Sequence, residues 1–111
     1  MQQITALQLG AWLDDPLRPK PLLLDVREPW EFDVCHIPGA QPMAMSSVPA
    51  RYMDLQHEHG RERDMVLICH HGARSYQVAM FLEQQGFTNL YNLHGGVASW
   101  AQQIDPDMPT Y

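Results

Sequence analysis

Cysteine is scarce in this chain of 111 residues: Cys35 and Cys69 are the only two, and they do not form a Cys-x-x-Cys motif. Small secreted domains that depend on disulfides usually carry several cysteine pairs in a short sequence. The cysteine content therefore argues against a disulfide scaffold and favours a reducing compartment. We expect a cytoplasmic location.

Long apolar runs and an excess of positive charge are missing as well. No segment approaches the ~20 apolar residues that a membrane span needs, and residues 1–15 lack the basic and apolar regions of a signal peptide. Lys and Arg number 7 against 13 Asp and Glu, which gives a net charge of −6. Because nucleic-acid phosphates attract basic surfaces, this balance argues against such a partner. We predict neither a membrane nor a nucleic-acid partner.

The length of the chain is that of a single domain, residues 1–111. Short segments that are apolar on both faces of a strand are typical of a buried parallel sheet. The predicted strands are 22–26, a brief one at 41–45, 65–69 and 90–93.

Helical patterns separate these strands. Thr5 and Gln8 fit a capping box in front of a helix at 6–13. Further helices are predicted at 28–34, from Ser46 or Ser47 towards Tyr52, over part of 53–60, after the loop that follows Cys69, and through Trp100. The alternation of strands and helices predicts an α/β fold with a mostly parallel sheet. The tail, residues 103–111, holds two prolines and is expected to pack loosely.

Residues 69–74, from Cys69 to Arg74, join a predicted strand to a helix. A loop this short turns successive backbone N–H groups inward, where they can bind an anion. The helix N-terminus adds only about 0.3–1 kcal/mol, so the loop amides and Arg74 are needed as well to keep a thiolate. A thiolate held in this way is a nucleophile. The alternative interpretation is that Cys69 is a small apolar residue at a strand end.

Four stretches of the sequence together resemble the rhodanese family. They are LLLDVREPWEF at 22–32, HIPGA at 36–40, CHHGARS at 69–75 and LHGGVASW at 93–100. The resemblance implies a rhodanese-like fold, in which a parallel five-stranded sheet has helices on both faces. It also implies sulfurtransferase chemistry through a persulfide on Cys69. The donor would be a small anion such as thiosulfate, the acceptor a thiol or a sulfur-carrier protein, and no metal or other cofactor would be needed.

The resemblance also assigns site residues. Cys69 would be the catalytic residue, and Arg74 with the amides of residues 70–75 would hold the anion. The predicted substrate-binding residues are His70, His71, Gly72, Ala73, Arg74 and Ser75. The two histidines either attract the donor when protonated or are solvated loop residues. Asp25 and Arg27 are predicted to support the site, and we expect Arg27 to pair with Glu28 or Glu31.

Two other functions stay open at this point. Phosphatases on the same fold place arginine six positions after the cysteine, whereas here Ser75 stands at that position and Arg74 at the fifth. The shorter loop favours sulfur over phosphate. A non-catalytic rhodanese-like module that binds other proteins is the second alternative.

Cys35 departs from the family pattern, which usually has glycine in front of HIPGA. If the backbone there requires a positive φ, Cys35 carries strain. As a second thiol, it would be able to attack a persulfide on Cys69 or to form a disulfide with it. The other interpretation is a small residue tolerated in a turn.

Overall fold

The computed structural model describes all residues, 1–111. Five strands form one sheet: β1 (Gln2–Ile4), β2 (Leu22–Asp25), β3 (Gln41–Pro42), β4 (Met65–Ile68) and β5 (Leu90–Leu93). Five helices surround it: α1 (Ala6–Asp14), α2 (Pro29–Val34), α3 (Val48–His59), α4 (Ala73–Gln84) and α5 (Gly96–Gln103). A 3₁₀ turn, Met45–Ser47, precedes α3. None of the helices combines the length and the hydrophobicity needed to cross a lipid bilayer.

The sheet has the order β1-β5-β4-β2-β3, and all of its strand pairs are parallel. In the central pair, Leu22 lies opposite Met65 and Asp25 lies opposite Ile68. The predicted α/β fold with a parallel five-stranded sheet and helices on both faces is therefore confirmed.

Burial on both faces explains why the central strands are apolar throughout. Along β2, Leu22 and Leu24 join one hydrophobic cluster, whereas Leu23 between them joins the other. Helices α1 and α5 contribute to the cluster on the side of Leu23, and α3 and α4 contribute to the opposite one. Because side chains alternate between the faces of a strand, a sheet covered on both sides leaves no position for a solvated residue.

The N-terminal strand β1 was not predicted, and other elements have different bounds. Gln2 and Gln3 are exposed on this edge strand, so β1 lacks the apolar run that indicates a buried strand. The third strand covers only Gln41–Pro42 instead of 41–45. Helix α3 runs without a break over Val48–His59, so that the two predicted helical segments on either side of Tyr52 form one helix. The Thr5–Gln8 capping box is present as predicted.

The tail packs against the domain instead of lying loosely over it, so this expectation is corrected. Met108 is buried in the hydrophobic cluster that includes α1 and α5. The Tyr111 hydroxyl accepts a hydrogen bond from Arg27 Nη1 at 2.8 Å and donates one to Glu31 Oε2 at 2.6 Å. Pro106 and Pro109 prevent regular structure, but they do not prevent side chains between and beyond them from packing.

The order of the strands creates a crevice between β2 and β4. The chain leaves β2 towards β3 at one edge of the sheet, and it leaves β4 towards β5 in the opposite direction. Where connections diverge in this way, ligands of parallel sheets bind beyond the carboxyl ends of the two strands. Asp25 ends β2 and Cys69 follows β4, so both lie at this crevice.

Gly96, the first residue of α5, allows this helix to approach the loop after β4. Its φ is 59°, and a Cβ at this position would lie 2.3 Å from both the Cys69 and the His70 carbonyl oxygens. The same carbonyls accept hydrogen bonds from the Val97 and Ala98 amides at 3.0 and 3.1 Å. A side chain at position 96 would break this contact.

We predict that Gly96→Ala destabilises the protein far more than Gly39→Ala. Gly39 also has a positive φ, 86°, but a Cβ there meets nothing within 4 Å. Gly39→Ala should lower the free energy of unfolding by about 1–2 kcal/mol, the cost of the left-handed conformation alone. Gly96→Ala adds overpacking and should cost about 3 kcal/mol or more. Urea unfolding of both variants measures the difference, and equal losses would contradict the close approach.

Candidate active site

The Cys69 side chain lies inside the loop that joins β4 to α4. Its Sγ accepts a hydrogen bond from the Gly72 amide at 3.0 Å and one from Ser75 Oγ at 3.3 Å. Gly72 reaches this position with φ 106°, and a Cβ there would lie 3.3 Å from the Leu93 carbonyl oxygen. The prediction that Gly72 permits a turn closed to larger residues is thus confirmed, and a thiol receives two polar donors at the start of a helix.

The surroundings of the sulfur differ from the predicted ring of amides. Gly72 is the one loop residue whose amide donates to Sγ, and the second donor is a side-chain hydroxyl. Cys69 is only 1% exposed. The amides of Ala73, Arg74 and Ser75 belong to the first turn of α4, where backbone N–H groups have no intrahelical partner. None of these three amides donates to the sulfur.

Ser75 and Asn92 form a buried polar pair behind the cysteine. Ser75 Oγ lies 2.5 Å from Asn92 Oδ1, and the Asn92 amide nitrogen donates to the Gly72 carbonyl at 3.1 Å and to Gln3 Oε1 at 3.0 Å. These two bonds fix the Asn92 amide so that its oxygen faces Ser75. A hydroxyl has one proton, so Ser75 donates to either Asn92 or Cys69 at a time. The shorter contact, to the acceptor Asn92 Oδ1, takes that proton, so the Gly72 amide is the donor to Sγ that is not shared.

Arg74 is held by a carboxylate. Its Nη1 donates to Glu31 Oε1 at 2.6 Å and its Nη2 donates to Oε2 at 2.9 Å. This bidentate geometry is the strongest form of an arginine–carboxylate pair. The Arg74 side chain is 33% exposed, whereas that of Glu31 is 5% exposed. The guanidinium thus spans the gap between the buried carboxylate and solvent at the edge of the loop.

The expected partner of Arg27 was wrong. Arg27 is buried and forms its ion pair with Asp25, with 2.7 Å between Nη2 and Oδ2, and not with the carboxylate of Glu28 or Glu31. Its Nη2 also donates to the Cys35 carbonyl at 2.7 Å. The reason is that the Glu31 carboxylate is taken by Arg74 from another loop, which sequence spacing does not reveal. Asp25 and Arg27 therefore tie the segment after β2 into a rigid unit.

The pKa of Glu31 is lowered to about 2. The hydrogen bonds from Arg74 are the main cause, and they outweigh the burial of the carboxylate, which acts in the opposite direction. A further hydrogen bond from Tyr111 contributes to the same effect. The carboxylate is therefore ionised throughout the neutral range, and Arg74 keeps its charged partner.

His70 and His71 stack on each other with ring centroids 4.0 Å apart. Burial lowers the pKa of His70, and the neighbouring His71 adds to this shift. His70 is therefore uncharged at neutral pH, which disfavours the hypothesis that it attracts an anion as a cation. Both histidines instead line a cavity of about 480 Å³ beside the loop. Its other walls include Cys35, Val97, Ala98, Ala101, Met108 and Tyr111.

Cys35 follows α2 in an extended conformation, with φ −162°. The strain that a positive φ would impose is therefore absent. Cys35 and Cys69 are both free thiols, and they belong to the hydrophobic clusters on opposite faces of the sheet. Cys35 Sγ lies 3.9 Å from Arg27 Nη1.

Three residues of the site were missed or misassigned by sequence analysis. Asn92 is a buried polar residue inside the apolar strand β5, and that anomaly was a usable signal. Glu31 was considered only as a partner of Arg27. Tyr111 carried no signal, because nothing in a tail with two prolines indicates where its last side chain packs.

Comparison with known proteins gives one family. A model of the rhodanese-like domain family matches residues 9–103. The "Probable adenylyltransferase/sulfurtransferase MoeZ" of Mycobacterium tuberculosis is 36% identical over 110 residues, which are 97% of this chain and 26% of that protein. A sulfurtransferase of Allochromatium vinosum is 40% identical over 81 residues, 73% of this chain and 72% of that protein. The crystal structure of a rhodanese-related protein from Thermoplasma volcanium has a TM-score of 0.79 at 28% identity, covering 94% of each chain.

The chain spans only part of some of these relatives. It covers 38% and 26% of the length of two of the curated proteins that it matches. The activities of those longer proteins therefore also depend on parts that this chain does not share.

We predict that Glu31→Gln removes a specific part of the acid sensitivity of the protein. Because the pKa of Glu31 falls from 4.5 to about 2 on folding, its contribution to stability is complete above pH 4.5 and is lost as the pH drops through 2. Between pH 5 and pH 2 the parent protein should lose about 2–3 kcal/mol more than the variant. Urea unfolding across this range measures the difference.

Glu62→Gln is the matched control, because Glu62 is exposed and it is its backbone carbonyl, not its carboxylate, that accepts a hydrogen bond from Asn89. This variant should follow the parent protein at every pH. A Glu31→Gln variant with the same acid sensitivity as the parent would show that the Arg74 pair contributes nothing to stability.

Proposed function

Since the chain belongs to the rhodanese-like domain family, we propose that it is a sulfurtransferase that carries a sulfane sulfur as a persulfide on Cys69. The donor is thiosulfate or a similar small anion, and the acceptor is a thiol or a sulfur-carrier protein. The observation that carries the proposal is the position of Cys69 at the start of α4: its sulfur accepts a hydrogen bond from the Gly72 amide and lies 3.3 Å from Ser75 Oγ.

In the first step, the thiolate of Cys69 attacks the outer sulfur of thiosulfate. A bond forms between Sγ and that sulfur, the S–S bond of thiosulfate breaks, and its electron pair leaves with sulfite. No net oxidation or reduction of the protein is needed, because the transferred sulfur keeps its oxidation level. The protein contributes position and electrostatics, as is common in nucleophilic catalysis.

The loop supplies what this step requires. The Gly72 amide donates to Sγ and stabilises the charge on it, and Ser75 Oγ lies 3.3 Å from the same sulfur. The unpaired amides of residues 73–75 at the helix N-terminus are suited to the added sulfur, which carries the negative charge of the persulfide. Arg74 lies at the rim, one-third exposed, where it is able to meet the oxygens of an anionic donor.

In the second step, the thiolate of an acceptor attacks the outer sulfur of the persulfide and regenerates the Cys69 thiolate. His70 and His71, which follow Cys69 in the chain, line a neighbouring cavity of about 480 Å³, whereas Cys69 itself does not. Both cysteines are free thiols, which suits a reducing compartment such as the cytoplasm, where persulfide and thiol acceptors coexist. The six-residue loop supports sulfur rather than phosphate as the group transferred.

We predict that brief exposure to thiosulfate adds the mass of one sulfur atom to the protein, and that the label lies on Cys69. Cys69→Ser should accept no sulfur and should lose thiosulfate:cyanide activity by at least ~10³-fold, since the attacking atom is gone. Intact-mass and peptide-mass spectrometry, together with release of sulfite, measure both effects.

Cys35→Ser is the matched control, because it removes the other thiol and leaves the loop unchanged. It should still accept one sulfur on Cys69. Sulfur found on Cys35 of the parent protein would indicate a relay between the two thiols. Absence of label with hydrolysis of an aryl phosphate would instead support the phosphatase alternative, and absence of both activities would support a binding module.

A further inference from the structure

Tyr111 brings the tail into contact with the charged groups of the proposed site. Its hydroxyl accepts a hydrogen bond from Arg27 Nη1 at 2.8 Å and donates one to Glu31 Oε2 at 2.6 Å. Its ring stacks on His70 with centroids 4.3 Å apart, and it meets Trp30 edge to face at 5.3 Å. Two hydrogen bonds and two aromatic contacts leave the phenol one well-defined position, although the residue is 38% exposed.

The acceptor of the phenol is the carboxylate that holds Arg74. Glu31 Oε1 accepts hydrogen bonds from Arg74 Nη1 and from the Glu28 amide, and Oε2 accepts them from Arg74 Nη2 and Tyr111. All four bonds are 3.1 Å or shorter. The carboxylate therefore has two donors on each oxygen, and removal of the phenol hydroxyl leaves Oε2 with Arg74 alone.

Formal charges in this network cancel. Asp25 and Glu31 carry one negative charge each, Arg27 and Arg74 carry one positive charge each, and they are joined through the ion pairs and Tyr111. The positive field that Arg74 presents at the rim is therefore not that of a free guanidinium. The strength of this field depends on how strongly the Glu31 carboxylate neutralises the guanidinium. Tyr111 competes with Arg74 for Glu31 Oε2.

We propose that Tyr111 is a positioning residue that acts through Glu31: its hydroxyl shares the carboxylate with Arg74 and so keeps the guanidinium oriented and available to an anionic sulfur donor. This role rests on the proposed function only for the identity of the donor. Tyr111 touches neither Cys69 nor any reacting atom in this arrangement, and it acts on how well the anion is bound.

The protonation state of the phenol suits this role. Partial burial and the hydrogen bond to Glu31 raise the pKa of Tyr111 to about 12. The hydroxyl is therefore a donor throughout the neutral range. Loss of the hydroxyl would also leave Arg27 Nη1 with a weaker set of partners, the Glu31 carbonyl at 3.3 Å and the Cys35 sulfur at 3.9 Å.

The first test compares alkylation of Cys69 by an anionic and a neutral reagent of similar size. Iodoacetate and iodoacetamide are used separately, in a Cys35→Ser background that leaves one thiol, and modification is followed by intact mass. The ratio of the two rates measures the positive field at the loop and does not require sulfur transfer. Tyr111→Phe should lower the iodoacetate-to-iodoacetamide ratio by roughly threefold or more.

The second measurement is the kinetics of thiosulfate turnover. Tyr111→Phe should raise KM for thiosulfate by roughly threefold or more and change kcat by less than about twofold, because ground-state binding of the anion is weakened and the nucleophile is untouched. Tyr52→Phe is the control: Tyr52, in α3, packs edge to face on Phe81 and takes no part in the hydrogen bonds of the Glu31 carboxylate. This variant should match the parent protein in both experiments.

The outcomes separate this proposal from the proposed function. An unchanged alkylation ratio in Tyr111→Phe overturns the role of Tyr111, as does an equal loss of kcat and kcat/KM. A lowered ratio in a protein that takes no sulfur from thiosulfate supports the coupling of Tyr111 to Arg74 and rejects the sulfurtransferase reaction. A lowered ratio together with a raised KM supports both.

Discussion

The parallel pairing of β2 with β4 is the contact on which the site depends. It aligns Asp25 with Ile68, so that the residues following each strand emerge side by side at one edge of the sheet. Because the chain then departs in opposite directions, the two loops are not displaced by a helix packed between them. The loop after β4 brings Cys69, the first turn of α4 brings Arg74, and the segment after β2 brings Arg27 and Glu31. Neither segment alone supplies both the Cys69 nucleophile and the Glu31 carboxylate that holds Arg74.

Electrostatic balance distinguishes this site from a simple anion pocket. Two buried carboxylates and two guanidiniums neutralise each other through close hydrogen bonds. Such a network is rigid because every charged partner is satisfied, and breaking one member leaves another unpaired in a poorly solvated place. The same balance limits the positive charge available to a donor. Tyr111 therefore affects the electrostatic potential at Arg74, because its hydroxyl and the Arg74 guanidinium donate to the same oxygen of Glu31.

Features that depend on one strand or one helix could be predicted from the sequence. The capping box at Thr5, the apolar strands β2 and β4, and the turn at Gly72 each follow from the conformational preferences of neighbouring residues. β1 could not be predicted, because it is a three-residue edge strand whose pairing with β5 decides its conformation. The partner of Arg27 was mistaken for a related reason: Asp25 and Glu31 are both close in the chain, and only the fold brings Arg74 to Glu31.

The amino-acid sequence by itself determined the class of the fold, the family, and the six-residue motif from Cys69 to Arg74, although α4 begins at Ala73 within this motif, because these follow from periodicity and from motifs of fixed spacing. The tertiary structure alone decided which charges pair, which groups donate to the sulfur and where the tail lies. Contacts such as Arg74 with Glu31, 43 positions apart, and Tyr111 with Arg27, 84 positions apart, depend on how strands are ordered. No local pattern encodes that order, since it results from packing the whole chain around one sheet.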